Sequence, residues 1–263
     1  MKLNKTYNMD NREGMRLLPD NYVDLIVTSP PYDDLRSYKG CEWNFEMFKE
    51  IAQELYRVTK EGGVLVWVVG DKVHKGSKTL TCYKQALYFK EIGFNVYDII
   101  IYEKTSPSPP HKNRYFNSFE YQFVLSKRNP KSVNLLKDRI NKSSGRNTGR
   151  ISRREEDGSL TTKKNIEIQE TGVRTNIWTY DVGNNKSTKD KIAFKHPAIF
   201  PEKLAEDHIL SWSNEGDIVM DIFAGSGTVR KMALKNNRQY IGFEIAEEYV
   251  KIDEERNGDV VNE

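Results

Sequence analysis

The chain has 263 residues, of which 37% are hydrophobic and 30% charged, with a formal net charge of +3. That length allows one large domain, or one domain with a substantial insertion, and the apolar fraction is ample for a core. So small a net charge says little about partners, and the two cysteines, Cys41 and Cys82, show neither metal-ligand spacing nor a disulfide framework. The N-terminus, Met1-Lys2-Leu3-Asn4-Lys5, has no apolar leader, and no run approaches a membrane span. The expectation is a soluble, cytoplasmic protein with reduced thiols, no metal and no membrane contact.

Lys5 to Met9 read as a short strand, with Asp10 just past its end. Asp10 either faces the carboxyl-end crevice of a sheet or caps the turn before Asn11. A short helix is expected from Arg12 to Leu18, stopped by Pro19. Val23-Asp24-Leu25-Ile26-Val27 is too short for a helix and rich in β-branched residues, so it reads as a buried strand. Thr28-Ser29-Pro30-Pro31-Tyr32 follows. Neither proline has an N–H and both fix φ, so the ladder stops and the chain leaves the strand as a stiff loop. In open α/β sheets that edge is where ligands bind. The Ser29 hydroxyl, the carbonyls beside the prolines and the Tyr32 ring suit a flat heterocycle with an exocyclic amine. The plain alternative is a rigid turn ending a strand.

From Asn44 to Val58, Phe45, Phe48, Ala52, Leu55 and Tyr56 recur at helical spacing, and Glu61-Gly62-Gly63 is expected to stop that helix. Val64 to Val69 reads as a buried strand, Tyr83 to Glu91 as a helix, Val96 to Tyr102 as a strand and Phe119 to Leu125 as another. The last two are expected to form an antiparallel edge. This tempo of strand and helix argues for an α/β fold with a mainly parallel sheet.

Composition changes after Leu125. Lys127, Arg128, Lys131, Lys137, Arg139, Lys142, Arg146, Arg150, Arg153 and Arg154 are nearly unopposed by acids, Asp138 excepted, among Ser-, Gly- and Asn-rich stretches that read as loop. A charge run is usually a solvated face. This one is dense, Arg-rich and internal, which favours a phosphate-contacting surface that positions a nucleic acid without reading its sequence.

Order returns near Asn176-Ile177-Trp178. His196-Pro197-Ala198-Ile199-Phe200-Pro201 is a stiff bend with Pro201 at a first helical position, and Leu204, Ala205, His208, Ile209 and Trp212 mark one face of the helix. Ile218 to Thr228 then reads as strand, glycine loop and helix start. Gly225 and Gly227 let the backbone approach a ligand. The loop has neither the GxGxxG spacing nor a P-loop lysine, so dinucleotide and Walker readings lose ground. A further strand, Gln239 to Phe243, ends at Glu244, which is placed to take both hydroxyls of a ribose. The alternative for Glu244 is a carboxylate at the start of the helix through Tyr249. Asn257-Gly258 is expected to begin a polar tail.

Taken together, these segments resemble the amino-methylating DNA methyltransferases that use S-adenosyl-L-methionine (AdoMet). Thr28-Ser29-Pro30-Pro31-Tyr32 is similar to their catalytic motif, Asp221-Ile222-Phe223-Ala224-Gly225-Ser226-Gly227-Thr228 to their AdoMet loop, and His196 to Pro201 to the segment covering the methionine end of the cofactor. Catalytic motif, basic variable region, then AdoMet loop is the order of the family's β group. The resemblance covers the chain except roughly residues 127 to 175, and departs at Ile222, where proline is common.

The resemblance implies a Rossmann-like fold with a mainly parallel, seven-stranded sheet. It divides the chain into a catalytic part at residues 1–125, a target-recognition insert at 126–195 and an AdoMet-binding part at 196–263. It implies catalytic roles for Ser29, Pro30, Pro31 and Tyr32. It places the cofactor among Asp10, Thr28, His196, Pro197, Phe200, Asp221, Phe223, Ala224, Gly225, Ser226, Gly227, Thr228 and Glu244. Double-stranded DNA is the expected partner, held by Lys142, Arg146, Arg150, Arg153 and Arg154, with the target base flipped out of the duplex. Serine at the head of the Pro-Pro-Tyr motif accompanies cytosine N4 in this family, and aspartate there accompanies adenine N6, so Ser29 points to cytosine with adenine as the alternative. RNA methylation and a non-catalytic binding module are weaker readings. The sequence leaves open a homodimer and a cognate restriction endonuclease.

Overall fold

The computed structural model describes residues 1–31, 43–108, 113–164, 166–183 and 185–258. Tyr32, Asp33, Asp34 and Cys41 lie outside them. There are two compact units: Met1–Asn134 with Asn176–Glu263, and Leu135–Thr175.

The first unit is built on one sheet. Its strands are β1 (Lys5–Asn8), β2 (Val23–Thr28), β3 (Thr59–Val69), β4 (Asn95–Ser108), β5 (Asn117–Ser126), β6 (Ile177–Tyr180), β7 (Ile218–Asp221) and β8 (Gln239–Glu244). Among the described residues they stand in the order β1-β8-β7-β2-β3-β5-β4-β6. β5 runs antiparallel to β3 and β4, and every other neighbouring pair is parallel. The sheet thus has one strand more than the seven expected. The extra one is β6, a four-residue strand at the edge. The expected antiparallel edge therefore lies inside the sheet, because β4 has a second partner in β6.

The helices are α1 (Asn11–Arg16), α2 (Phe45–Val58), α3 (Thr81–Glu91), α4 (Glu202–Trp212), α5 (Thr228–Lys235) and α6 (Glu247–Asn257). α2 buries Phe48, Ile51, Ala52, Leu55 and Val58, the face that its apolar spacing predicts. That face joins Met15 and Leu18 near α1, Cys82 and Phe89 of α3, and Ile26, Leu65, Trp67, Phe123 and Phe243 of the sheet. Leu25, Val27, Val64 and Val66 point away from this cluster yet are fully buried. The sheet is therefore covered on both faces, as parallel sheets require. α4 packs on β2, and α5 on β7 and β8.

Some boundaries differ from expectation. α2 stops at Val58, before the glycines, because Thr59 turns its hydroxyl back onto the Leu55 carbonyl at 2.6 Å and enters β3 at once. Gly62 and Gly63 then lie within β3, where the register against β2 shifts between Val23 and Leu25. Gly62 takes φ +80°, and its N–H donates to the Lys127 carbonyl at 2.7 Å. Pro201 is the residue before the first turn of α4, with ψ 131°. Asn257 ends α6 fully buried and does not begin a tail.

The second unit is narrower than the 126–195 segment expected to form an insert, since residues 126–134 and 176–195 belong to the sheet unit. It is a two-stranded ribbon and not a loop. Arg139–Ile140 pairs with Thr171–Gly172, Asn147 bridges to Glu167, and Arg150–Arg154 pairs with Leu160–Lys164. None of its described residues is buried. Among the described residues, no helix is long and apolar enough to cross a membrane.

The chain leaves β2 through α2 to β3 on one side, and leaves β7 through α5 to β8 on the other. The β2/β7 boundary is therefore a topological switch point, where a crevice opens at the carboxyl ends of the strands. The aromatic cluster behind it sets the stability of this arrangement. Phe48 is fully buried against Trp67 and Phe89, with ring centroids 5.8 and 5.1 Å away. Phe48→Ala is expected to lower unfolding free energy by about 3–5 kcal/mol, read from urea denaturation at unchanged slope.

Candidate active site

β2 and β7 are neighbours in register, so their last residues, Thr28 and Asp221, meet. The Thr28 hydroxyl donates to Asp221 Oδ1 at 2.7 Å, and the Phe223 N–H donates to the same oxygen at 3.0 Å. Asp221 is only 5% exposed. Burial pushes its carboxyl up to about 7, against the pull of those two donors.

The loop after Asp221 turns back over the sheet. Ala224 N–H donates to the Phe243 carbonyl at 3.0 Å, and Gly227 N–H to the Ala224 carbonyl at 2.9 Å. Gly225 and Gly227 have φ of +51° and +74°, the left-handed region that glycine tolerates. A Cβ on Gly225 would stand 3.1 Å from His196 Nε2, so the loop and the histidine close on each other. His196 is held in turn by Tyr249, whose ring centroid is 4.3 Å away.

Glu244 ends β8 next to the loop. Its Oε2 accepts from Gly225 N–H and its Oε1 from Ala246 N–H, both at 2.9 Å. Burial raises its pKa as well. The two readings of Glu244 are thus compatible: the carboxylate orders the helix start and still presents unused lone pairs. Asp10 is likewise both things at once. It caps α1 through the Arg12 N–H at 2.8 Å, and it lines the crevice. The hydrogen-bonded Arg12 guanidinium holds its carboxyl below the usual range.

The crevice is a cleft of about 980 Å³. Of the residues singled out in the sequence, it brings together Asp10, Thr28, Ser29, Pro30, Pro31, His196, Pro197, Phe200, Asp221, Phe223, Ala224, Gly225, Ser226, Thr228 and Glu244. Gly227 does not line it; it packs behind, where an added Cβ would collide with Asp253. Tyr32 is outside the described residues. Lys142, Arg146, Arg150, Arg153 and Arg154 all lie on the ribbon unit and are exposed. Alternation along Arg150–Arg154 sends Arg150 and Arg154 to one face of the ribbon and Arg153 to the other.

Sequence reasoning passed over several residues of the cleft. Trp43 lines it and packs edge-on against Phe223, ring centroids 5.6 Å apart. Tyr102, Lys104 and Glu120 line it from β4 and β5, with Lys104 paired to Glu120 and its Nζ 5.5 Å from the Tyr102 ring centre. Alternation along β4 and β5 was the only signal for these, and it does not reveal which face meets a ligand. Among the described residues, no cluster of His, Cys, Asp and Glu could hold a metal ion.

A profile described as DNA methylase matches residues 23–255. The chain belongs to the DNA methylase family. The methylase is 62% identical over 240 residues to the orphan methyltransferase M.BamHII of Bacillus amyloliquefaciens, covering 90% of this chain and 89% of that one. Its fold is similar to that of the PvuII DNA methyltransferase (cytosine-N4-specific), with a TM-score of 0.71 at 20% identity over 98% of this chain and 93% of the other. It is also similar to TTHA0409 of Thermus thermophilus, solved in complex with S-adenosyl-L-methionine, with a TM-score of 0.63 at 22% identity over 98% and 94%. These likenesses show the Rossmann-like methyltransferase fold of the methylase.

The raised pKa of Asp221 has a measurable sign. In the folded, ligand-free methylase the group keeps its proton up to about 7, whereas the unfolded chain loses it near 3.8. The unfolded state therefore binds fewer protons in this window, and the group's contribution to stability falls as pH rises from about 4 to about 7. Asp221→Asn should remove that loss. The ligand-free variant is expected to melt above the wild type at pH 8, with the gap closing toward pH 4. A gap independent of pH would contradict the assignment.

Proposed function

We propose that this methylase transfers a methyl group from AdoMet to the exocyclic N4 of a cytosine in double-stranded DNA. The observation that carries the reading is the convergence of Ser29-Pro30-Pro31 and the Asp221–Thr228 loop on one cleft at the switch point of the sheet. The residues present fit the cofactor. The cleft holds a buried carboxylate, Asp221, whose charged form is disfavoured until a cation arrives, and the cofactor's methionine end carries an ammonium. The cleft also has a wall at Gly225 where a Cβ would fill the space beside His196. In this reading Asp221 takes the ammonium, Glu244 accepts from the ribose hydroxyls with its remaining lone pairs, and His196 to Pro201 closes over the methionine end.

When bound, AdoMet supplies an electrophilic sulfonium methyl. The protein's task is then positioning, because the target amine is a poor nucleophile with its lone pair delocalised into the ring. Ser29 and the Pro30 carbonyl accept hydrogen bonds from the amine, draw its nitrogen toward a tetrahedral shape and hold it in line with the methyl. Orientation of this kind accounts for much of the acceleration in bimolecular reactions. The prolines keep the acceptors rigid, and Tyr32 provides a ring for stacking. The amine is out of reach inside a duplex, so the base is flipped into the cleft. Ser29, where the family's adenine enzymes carry aspartate, supports cytosine over adenine.

Incubation with labelled AdoMet and duplex DNA, followed by nucleoside analysis, tests the reading. N4-methylcytosine is expected, lost on Ser29→Ala with AdoMet binding retained. N6-methyladenine as the product would replace the base but keep the chemistry.

Lys142, Arg146, Arg150, Arg153 and Arg154 are proposed to contact phosphates. Replacing Arg150, Arg153 and Arg154 by glutamine should reduce the slope of log K against log salt by about 0.9 for each phosphate that is no longer neutralised. Filter binding across a salt series measures this, and an unchanged slope would make the ribbon a solvated surface.

A further inference from the structure

α6 presents Asp253, Arg256 and Asn257 on one face toward the back of the glycine loop. The Arg256 side chain is 1% exposed, although arginine is rarely buried so completely. Its guanidinium reaches two walls at once. Toward the loop, Nη1 donates to the Ser226 carbonyl at 3.0 Å and to Thr228 Oγ1 at 2.9 Å. Toward the segment that precedes α4, Nε donates to Asp190 Oδ2 at 2.7 Å, and Nη2 to Glu202 Oε1 at 2.6 Å and to Thr188 Oγ1 at 3.2 Å.

That second wall is itself braced. Glu202 N–H donates to the Ser187 carbonyl at 3.0 Å, and the Thr188 hydroxyl donates to Glu202 Oε1 at 2.7 Å. Lys231 adds a second cation to the same two acids, at 2.7 Å from Asp190 and 2.9 Å from Glu202. Asn257 Nδ2 donates to the Gly227 carbonyl at 3.1 Å beside this network. Ser226 and Thr228 on one wall, and Ser187, Phe200 and Pro201 on the other, line the cleft.

We propose that Arg256 is a positioning residue that bolts the glycine loop to the 188–202 segment and so sets the spacing of the two walls around the cofactor. This rests on the AdoMet reading above. The two walls belong to different parts of the chain: the loop leaves β7, while the opposing segment runs from β6 to α4, and Arg256, with Lys231 beside it, joins them. The planar fork spans both, donating to five oxygens that one ammonium could not meet together. A wall held in its bound geometry before the ligand arrives saves the ordering cost of binding.

Arg256→Met keeps the aliphatic stem and removes the fork. Calorimetry with AdoMet should show Kd raised about ten-fold or more, given the worth of charge-assisted hydrogen bonds. KM for AdoMet should rise in parallel, while kcat at saturating AdoMet and Kd for DNA measured without AdoMet stay within about two-fold. Hydrogen exchange of the ligand-free variant should show reduced protection at residues 226–228. Arg256→Lys, which keeps the charge without the fork, carries the same test if Arg256→Met does not fold. AdoMet affinity within about two-fold of wild type in a folded variant, whatever its Tm, overturns the inference, as does an equal loss of AdoMet and DNA affinity. Wild-type protein that binds no AdoMet overturns the functional reading together with it.

Discussion

The hydrogen bond from Thr28 to Asp221 joins residues 193 positions apart and is the contact on which the site depends. It forms because β2 and β7 are adjacent parallel strands whose carboxyl ends finish side by side. One end continues into the serine-diproline loop and the other into the glycine loop. In the proposed reading those loops hold the sulfonium carbon and the amine in line, and two strands at the centre of a sheet buried on both faces give them one rigid origin.

The position of Asp221 is electrostatically costly, and the Thr28 hydrogen bond offsets only part of that cost. Asp221 has been drawn out of water, and in the ligand-free protein its charge is opposed by burial and by the neighbouring Glu244 and Asp253. A binding site that is destabilised when empty favours a cation strongly when filled. The loop around it is correspondingly held from several sides: by Glu244 at Gly225, by His196 in front, and by Asp253, Arg256 and Asn257 behind. Charged groups buried this deeply endure only as networks, and here most of the partners come from α6 and from the segment before α4.

Most of the sheet unit was legible because its elements have strong periodicity. The 3.6-residue spacing of Phe48, Ala52 and Leu55 and the β-branched run before Thr28 leave little choice of local structure. The errors fall where long-range contacts override local signals. Gly62-Gly63 reads as a helix stop, yet β3 absorbs it because pairing with β2 begins at Thr59. Ile177–Tyr180 has no strand signal of its own length and exists as β6 because β4 offers an open edge. The ribbon from Arg139 to Gly172 looks like loop because neither strand buries an apolar face. Asn257 reads as tail, although the Gly227 carbonyl and Asp253 give its amide buried partners.

The sequence by itself determined the α/β class, the two loops at strand ends and the chemistry those loops can offer. Each of these is written in a few consecutive residues through backbone sterics and hydrophobic spacing. Only the tertiary structure decided that the loops face one cleft, that Arg256 ties its walls together, and that Arg150 and Arg154 part company with Arg153. Those outcomes rest on which strands pair and in what register. A pairing energy is shared between residues far apart in the chain, so no local stretch carries it.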